Sequence, residues 1–432
     1  MDTAIAARRT GMWIVVPALA IVLLAINTLP YVPLQDYNDW AYQGYIVAQM
    51  LQGHLNDAFY FAHYPVPNST VQALLSLLNL ILSPIPASRV VASFYVIAAV
   101  ALAWQLARKL SATQTVRYFL VLLVCVYFNT PFWNGYMNYQ FGILLFSWWL
   151  LLDRSTRAKP LWVLAFTVGA FFTHAVIWAS ILLMIALDAL RRRRFAPYLP
   201  ALASLGLFVW YVLCKHTPTV PDPGHQSGIA HALGYKLYTL AKLGPYHHFV
   251  YANGATSTIE SIAYYAGAAV NFAVAAGLMY LIGAVLWRSF GRRSARPHVS
   301  DETLAAVVLL VLFALMPAVM ADVVNPGERM LYPALMLALF GVGQSGAMKW
   351  LACSAAVLAL CVLGLVANSA RLTSDTALAD AGPGVSQRVL FGSRPDEFAN
   401  ILPISQGRLP IRTIGFETSF LFNTPGATGV VH

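Results

Sequence analysis

What most restricts this chain is its punctuation. Apolar runs of membrane-crossing length recur along it, and the segments joining them on one side are short and basic. The first run, GMWIVVPALAIVLLAINTLPYVP (11–33), follows Arg8 and Arg9. It is longer than the apolar stretch of about 7–15 residues in a signal peptide and lacks a small-residue cleavage site, so it reads as an uncleaved anchor with a cytoplasmic N-terminus. A spanning helix needs about 20 mostly apolar residues, about 17 at the short end. Further candidates are 89–107, 114–131, 138–153, 160–172, 174–190, 196–214, 263–287, 303–321, 330–346 and 349–368, which makes eleven. Charged residues are only 10% of the 432, against about 25% in soluble domains. The expected class is an all-α polytopic membrane protein. Cys125, Cys214, Cys353 and Cys361 lie in or at the ends of apolar runs and read as small core residues.

Lysine and arginine set the orientation, because short cytoplasmic loops collect them. The eleven spans put Arg8, Arg9, Arg108, Lys109, Arg117, Arg154, Arg157, Lys159, Arg191–Arg194, Arg288, Arg292, Arg293, Arg296 and Lys349 on one side. The net charge of +10 is thus a topology signal, and no nucleic-acid partner is expected. STVQALLSLLNLILSPIP (69–86) is apolar enough to cross, but crossing would move five of those basic residues outside, so it is expected to be juxtamembrane or re-entrant. As one helix, 160–190 would be about 46 Å long, more than a hydrocarbon core of about 30 Å. A hairpin turning near Thr173–His174 is expected instead.

The outer face then receives 34–88, 215–262 and a tail, 369–432, that is short for independent folding. On the cytoplasmic side, SARPHVSDE reads as a plain loop. There is no internal repeat, phosphate-binding glycine loop or dinucleotide fingerprint, so a cytoplasmic nucleotide enzyme has no place for its site.

Chemistry-bearing residues concentrate outside. In PLQDYNDWAYQGY (33–45), taken as a helix from residue 36, Asp36, Asp39 and Gln43 share one face while Tyr37, Trp40, Ala41, Tyr45 and Ala48 share the other. Such a helix is expected to lie flat on the bilayer, aromatic side in the headgroups and carboxylates turned into a cavity. Asp36 could equally serve as a helix cap. NTPFWNGYMNYQFG (129–142) offers Asn134, Tyr136, Asn138 and Tyr139, amides and hydroxyls suited to a sugar, although Asn-Gly is also a common turn. His174, in FFTHAVIW, is either a satisfied structural histidine or a hydrogen-bond donor to a phosphate or carboxylate. NPGERMLYPALML (325–337) places Glu328 and Arg329 at a helix start, where the partial positive charge and a bidentate guanidinium suit an anion. An internal pair of Arg329 with Glu328 or Asp322 is the alternative. IAHALGYKLYTLAKLG reads as a second interfacial helix with snorkelling Lys236 and Lys242. Nearby His247 and His248 are adjacent, cannot both face one metal from a helix and have no spaced partner, which argues against zinc.

The order QDYND, GYMNYQFG, FFTH and GERMLYPALML, with an uncleaved first helix and a many-helix bundle, resembles the GT-C superfamily over roughly 1–368. Its members are membrane glycosyltransferases that draw sugar from polyprenyl-phosphate carriers. The resemblance is to an uncharacterised bacterial branch. It implies a GT-C-like bundle of about 11 helices with periplasmic amphipathic juxtamembrane helices and a site facing the periplasm from the inner membrane. The partners would be a polyprenyl-phosphate sugar donor, a glycan or lipid acceptor and the bilayer. A divalent cation, Mg or Mn, is the open cofactor: many relatives carry an acidic residue in the loop between the third and fourth helices, and here 132–138 holds Asn134 and Asn138 and no carboxylate.

Sugar transfer needs a base for the acceptor proton and cations for the departing phosphate. Asp36, alone or with Asp39, is the expected base. Arg329 would hold the phosphate, helped by His174 or by loop residues such as Lys236, His247 and His248. One base opposite one leaving group implies inversion. A flippase for a lipid-linked glycan is the alternative, although no charged residue lies near the middle of a predicted helix. A non-catalytic scaffold would leave Asp36 dispensable.

Overall fold

A computed structural model describes residues 36–215, 229–245, 258–290, 299–317 and 326–361 and, in pieces, 19–34, 319–324 and 409–431. Most of the first apolar run, the histidines at 247 and 248, and Asp322 therefore lie outside the described residues.

The described chain is mostly helical. Helix α1 (Tyr37–Leu51) leads through a short strand, β1 (Phe59–Phe61), to α2 (Thr70–Asn79) and α3 (Pro84–Leu110). Proline at the first turn of α3 starts it where its missing N–H costs nothing, and Arg108 and Lys109 complement its last carbonyls. With ten residues, α2 is about 15 Å long and cannot cross a bilayer. This agrees with the juxtamembrane expectation for 69–86.

Then come α4 (Thr115–Leu122), a π-helical turn (Leu123–Tyr127), the single turn α5 (Thr130–Trp133) and α6 (Met137–Leu151). A short turn, α7 (Arg154–Arg157), precedes α8 (Pro160–Thr173) and α9 (Ala175–Arg192). Between them His174 alone is extended, at φ −166° and ψ 130°. Arg157, just before α8, is an electrostatic neighbour of Asp188 near the end of α9. The two helices therefore run antiparallel, as the hairpin expected at Thr173–His174. Neither glycine nor proline makes the turn; His174 caps α9 by accepting the Val176 N–H at Nδ1 (3.2 Å).

A 3₁₀ segment (Ala196–Ala201) continues into α10 (Leu202–Cys214), followed by α11 (Ile229–Ala241), α12 (Thr258–Phe290), α13 (Asp301–Leu315), α14 (Pro326–Val342) and α15 (Ala347–Cys361). Among the described residues, three segments are long and apolar enough to cross a membrane: Pro84–Leu110, Ala196–Cys214 and Tyr265–Phe290. The other described helices within the expected spans are shorter; α6, with 15 residues, reaches about 22 Å.

The carboxylates in SARPHVSDE do more than fill a loop. Ser300 accepts the Thr303 N–H at 3.1 Å and caps α13, with Asp301 and Glu302 in its first turn. Asp301 pairs with Arg191 (2.7 Å) and Arg154 (3.5 Å), Glu302 with Arg154 (3.5 Å), and Asp188 with Arg192 (2.7 Å). Lys109 and Arg157 donate to the final carbonyls of α6. Basic loops that the sequence assigned to one side thus meet in one place.

At the other end, β1 pairs antiparallel with β2 (Leu421–Asn423), in register Phe61 to Leu421, and Tyr60 stacks on Phe422 at 5.5 Å. The tail is therefore fastened to the loop that follows α1.

The largest departure concerns α1. It does not lay an aromatic face into lipid: Tyr37, Asn38, Trp40, Ala41 and Ala48 are buried by protein, as is Gln43 on the carboxylate face. Helix α2 crosses so close that a Cβ on Gly44 would lie 2.5 Å from Leu75 Cβ. Tyr37 donates its hydroxyl to the Ser88 carbonyl of α3 (2.7 Å). Gln72 of α2 donates to Gln43. The two-faced pattern is real, but both faces have protein partners.

Candidate functional site

The site is built on the bend between α4 and α6. A π turn shifts the hydrogen-bond ladder and leaves carbonyls to be satisfied from outside. Tyr95 donates its hydroxyl to the Tyr127 carbonyl (2.7 Å), and the Asn129 amide donates to the Val126 carbonyl (2.7 Å). Asn129 Oδ1 in turn accepts the Phe132 N–H (3.0 Å) and the Gln140 amide. This buried network fixes the bend that carries Asn134, Gly135 and Tyr136.

The bend then seizes the start of α1. The Asp36 N–H donates to the Asn134 carbonyl at 2.9 Å. Gly135 has φ +79°, and a Cβ there would fall onto the Tyr37 backbone nitrogen and 2.7 Å from that of Asp36. Glycine is required twice, for the left-handed backbone and for the contact. Asp36 takes the N-cap position without a side-chain cap hydrogen bond, so the capping alternative is not realised. Asp36 and Asp39 are both half-buried.

Tyr136 connects the two charged halves. Burial pushes its phenol up to about 12; the charges of Asp36 and Glu328 add to the shift, while Arg329 and a hydrogen bond with Asn134 oppose it. Asp36, Glu328 and Arg329 thus all lie within electrostatic range of one neutral ring. The Arg329 guanidinium lies over that ring, 4.6 Å from its centre. Tyr139 donates its hydroxyl to the Arg329 carbonyl (2.7 Å), fixing the backbone from which the guanidinium projects. Glu328 pairs with Lys242 across 3.7 Å. Among the described residues no ion pair engages Arg329.

His174 joins this group. Its ring meets Tyr139 edge-on at 5.0 Å and lies within electrostatic range of Arg329. Because Nδ1 accepts from Val176, the neutral ring carries its proton on Nε2.

Other candidates have structural duties. Asn138 accepts the Val71 N–H (2.8 Å) and donates to the Asn68 carbonyl (2.5 Å), clamping the start of α2, so its amide is not offered to a sugar. Lys236 does not snorkel; it donates to the Phe313 and Met316 carbonyls (2.6 and 2.5 Å) and closes the end of α13. Asp39 lies in the first turn of α1. His247 and His248 lie outside the described residues. Conversely, the platform role of Tyr136 and the pairing of Lys242 with Glu328 had no distinguishing mark in the sequence. Among the described residues, no three His, Cys, Asp or Glu side chains gather as a metal-binding group.

A cavity of about 690 Å³ runs between α3, α6 and α8. Its walls include Phe94, Phe141, Trp148 and Phe172, with Thr70 and Thr173 at the end nearest His174. From Phe94 to Gln105 it follows α3 for about 16 Å. Phe94 and Trp148 are also exposed on the outside of the bundle, so the groove opens sideways. Asp36 and Arg329 do not line it; His174 follows Thr173 of its wall and lies within electrostatic range of Arg329. No protein-family model, curated protein or solved structure matches this chain.

Proposed function

We propose that the chain is a GT-C-type integral membrane glycosyltransferase. It moves a sugar from a polyprenyl-phosphate carrier to a hydroxyl on a glycan, lipid or other acceptor, at the periplasmic face of the bacterial inner membrane. An eleven-span bundle over 1–368 with a short periplasmic tail belongs to the same reading.

The observation that carries it is the placement of Asp36 and Arg329 around Tyr136. A base and a cation that both act on one buried ring can serve the two ends of a displacement. Asp36 takes the proton of the acceptor hydroxyl, whose oxygen attacks the anomeric carbon. The bond from that carbon to the phosphate oxygen breaks, and the phosphate leaves with the electron pair against Arg329. Attack from the side opposite the leaving group inverts the configuration. His174, through Nε2–H, supplies a neutral donor beside the same phosphate. A groove for an apolar chain ending one residue from His174 supports a lipid-linked donor over a soluble one.

The test is release of free polyprenyl phosphate from a polyprenyl-phosphate sugar by purified protein in detergent, with candidate acceptors present. Release that needs both Asp36 and Arg329 is expected. No release with any acceptor, together with movement of the lipid-linked sugar between leaflets in proteoliposomes, would replace the transferase with a flippase.

A further inference from the structure

Glu328 and Arg329 are consecutive at the first turn of α14, beside one aromatic ring. A carboxylate so close to a phosphate-binding cation is a competitor for it. An ion pair between the two would cancel the charge the ligand needs and repel the ligand besides.

The chain meets this problem with Lys242. Its ammonium lies 3.7 Å from the Glu328 carboxylate, and the two side chains are only 11% and 8% exposed. The ring of Tyr238 lies 4.9 Å from the same ammonium. The backbone that delivers it is pinned from two directions. Thr130 donates its N–H to the Gly244 carbonyl at 2.8 Å and brings its hydroxyl within 3.2 Å of the Lys242 carbonyl. Asn271 of α12 donates to the Ala241 carbonyl at 3.1 Å. Lysine thus reaches Glu328 from a fixed loop, while Arg329 faces Tyr136.

We infer that Lys242 is a positioning residue that occupies Glu328 and thereby keeps the Arg329 guanidinium open to an anionic ligand, a phosphate monoester or diester. This rests on the reading of Arg329 as the phosphate ligand. Lys242 touches no reacting atom; it acts through Glu328. Removing it releases a buried carboxylate beside the guanidinium, and Arg329 is then drawn into an internal pair.

The experiment measures binding of farnesyl phosphate to purified protein in detergent, with farnesol as the uncharged control and inorganic phosphate to separate headgroup from chain. Wild type should prefer farnesyl phosphate to farnesol, and Arg329→Ala should lose that preference. Lys242→Met should weaken farnesyl phosphate about tenfold, the scale of a desolvated charge pair. Lys242→Met/Glu328→Gln should recover wild-type affinity, and Glu328→Gln alone should bind at least as tightly as wild type. Each is measured well below that variant's own Tm, so that lost folding is not read as lost affinity. If Arg329→Ala loses the preference while Lys242→Met binds like wild type, or the double variant stays weak, the role of Lys242 is overturned and the phosphate site stands. If wild type shows no preference for the phosphate, the phosphate site itself falls, and the role of Lys242 with it.

Discussion

Two charged clusters, one at each end of the bundle, are built from similar parts to different ends. At the basic-loop end, Arg154, Arg191 and Arg192 each have a carboxylate partner, Asp301, Glu302 or Asp188. At the other end, Arg329 rests on an aromatic ring while Lys242 holds the nearby Glu328. The first arrangement is closed: its charges answer one another and tie α7, α9 and α13 together. The second leaves its guanidinium without a carboxylate among the described residues. A cation held over a ring keeps most of its charge for a newcomer, whereas one in an ion pair does not. This contrast is the reason for placing phosphate chemistry at the Tyr136 end.

Exchanging carboxylates for amides should separate the clusters most sharply. Asp36→Asn is expected to lower turnover by roughly 10²–10⁴-fold, the usual cost of a lost general base. Asp39→Asn should be milder. Asp301→Asn should leave turnover unchanged and lower Tm by roughly 2 °C, since its arginine partners are about half exposed and screened. Equal turnover in Asp36→Asn and Asp301→Asn would erase the distinction. Next in size is Arg329→Ala, with a loss of about 10²-fold in kcat as well as weaker donor binding, because the phosphate gains charge as the glycosidic bond breaks. Arg329→Lys keeps the charge without the planar fork and should retain a fraction of activity; activity equal to that of the alanine variant would show that charge is not what Arg329 supplies. Smallest in rate is Gly135→Ala. The added Cβ must displace the start of α1, and left-handed backbone alone costs alanine about 1–2 kcal/mol. Tm and turnover should fall together, and a fall in Tm with full turnover would detach the bend from the site.

Local cues carried some of this arrangement and not the rest. The hairpin at His174 follows from length, because 160–190 is too long for one crossing. The brevity of α2 follows from where the basic residues must go. The surroundings of α1 do not follow, because an alternating pattern says that a helix has two faces and not what covers each. Tyr37 finds its acceptor at Ser88, and Gly44 finds its neighbour at Leu75. Candidate site residues divide in the same way. Arg329 stands out through its position at a helix start. Asn138 and Lys236 look equally suited to a ligand until their partners, Asn68 with Val71 and Phe313 with Met316, are known. A polar side chain's employment depends on carbonyls and amides that can lie far away in the chain.

The strand pair that joins Phe61 to Leu421 bears on the order of events during synthesis. The loop after α1 emerges early, yet its edge strand waits for a partner about 360 residues further along the chain. Closing so large a loop is slow and comes late, after the helices between have been inserted. Until then the nascent loop keeps an open edge, while α1 is already held by the bend, α2 and α3. A ribosome stalled before residue 421 should therefore hold a bundle whose helices resist protease while the stretch around Phe59–Phe61 is still cut.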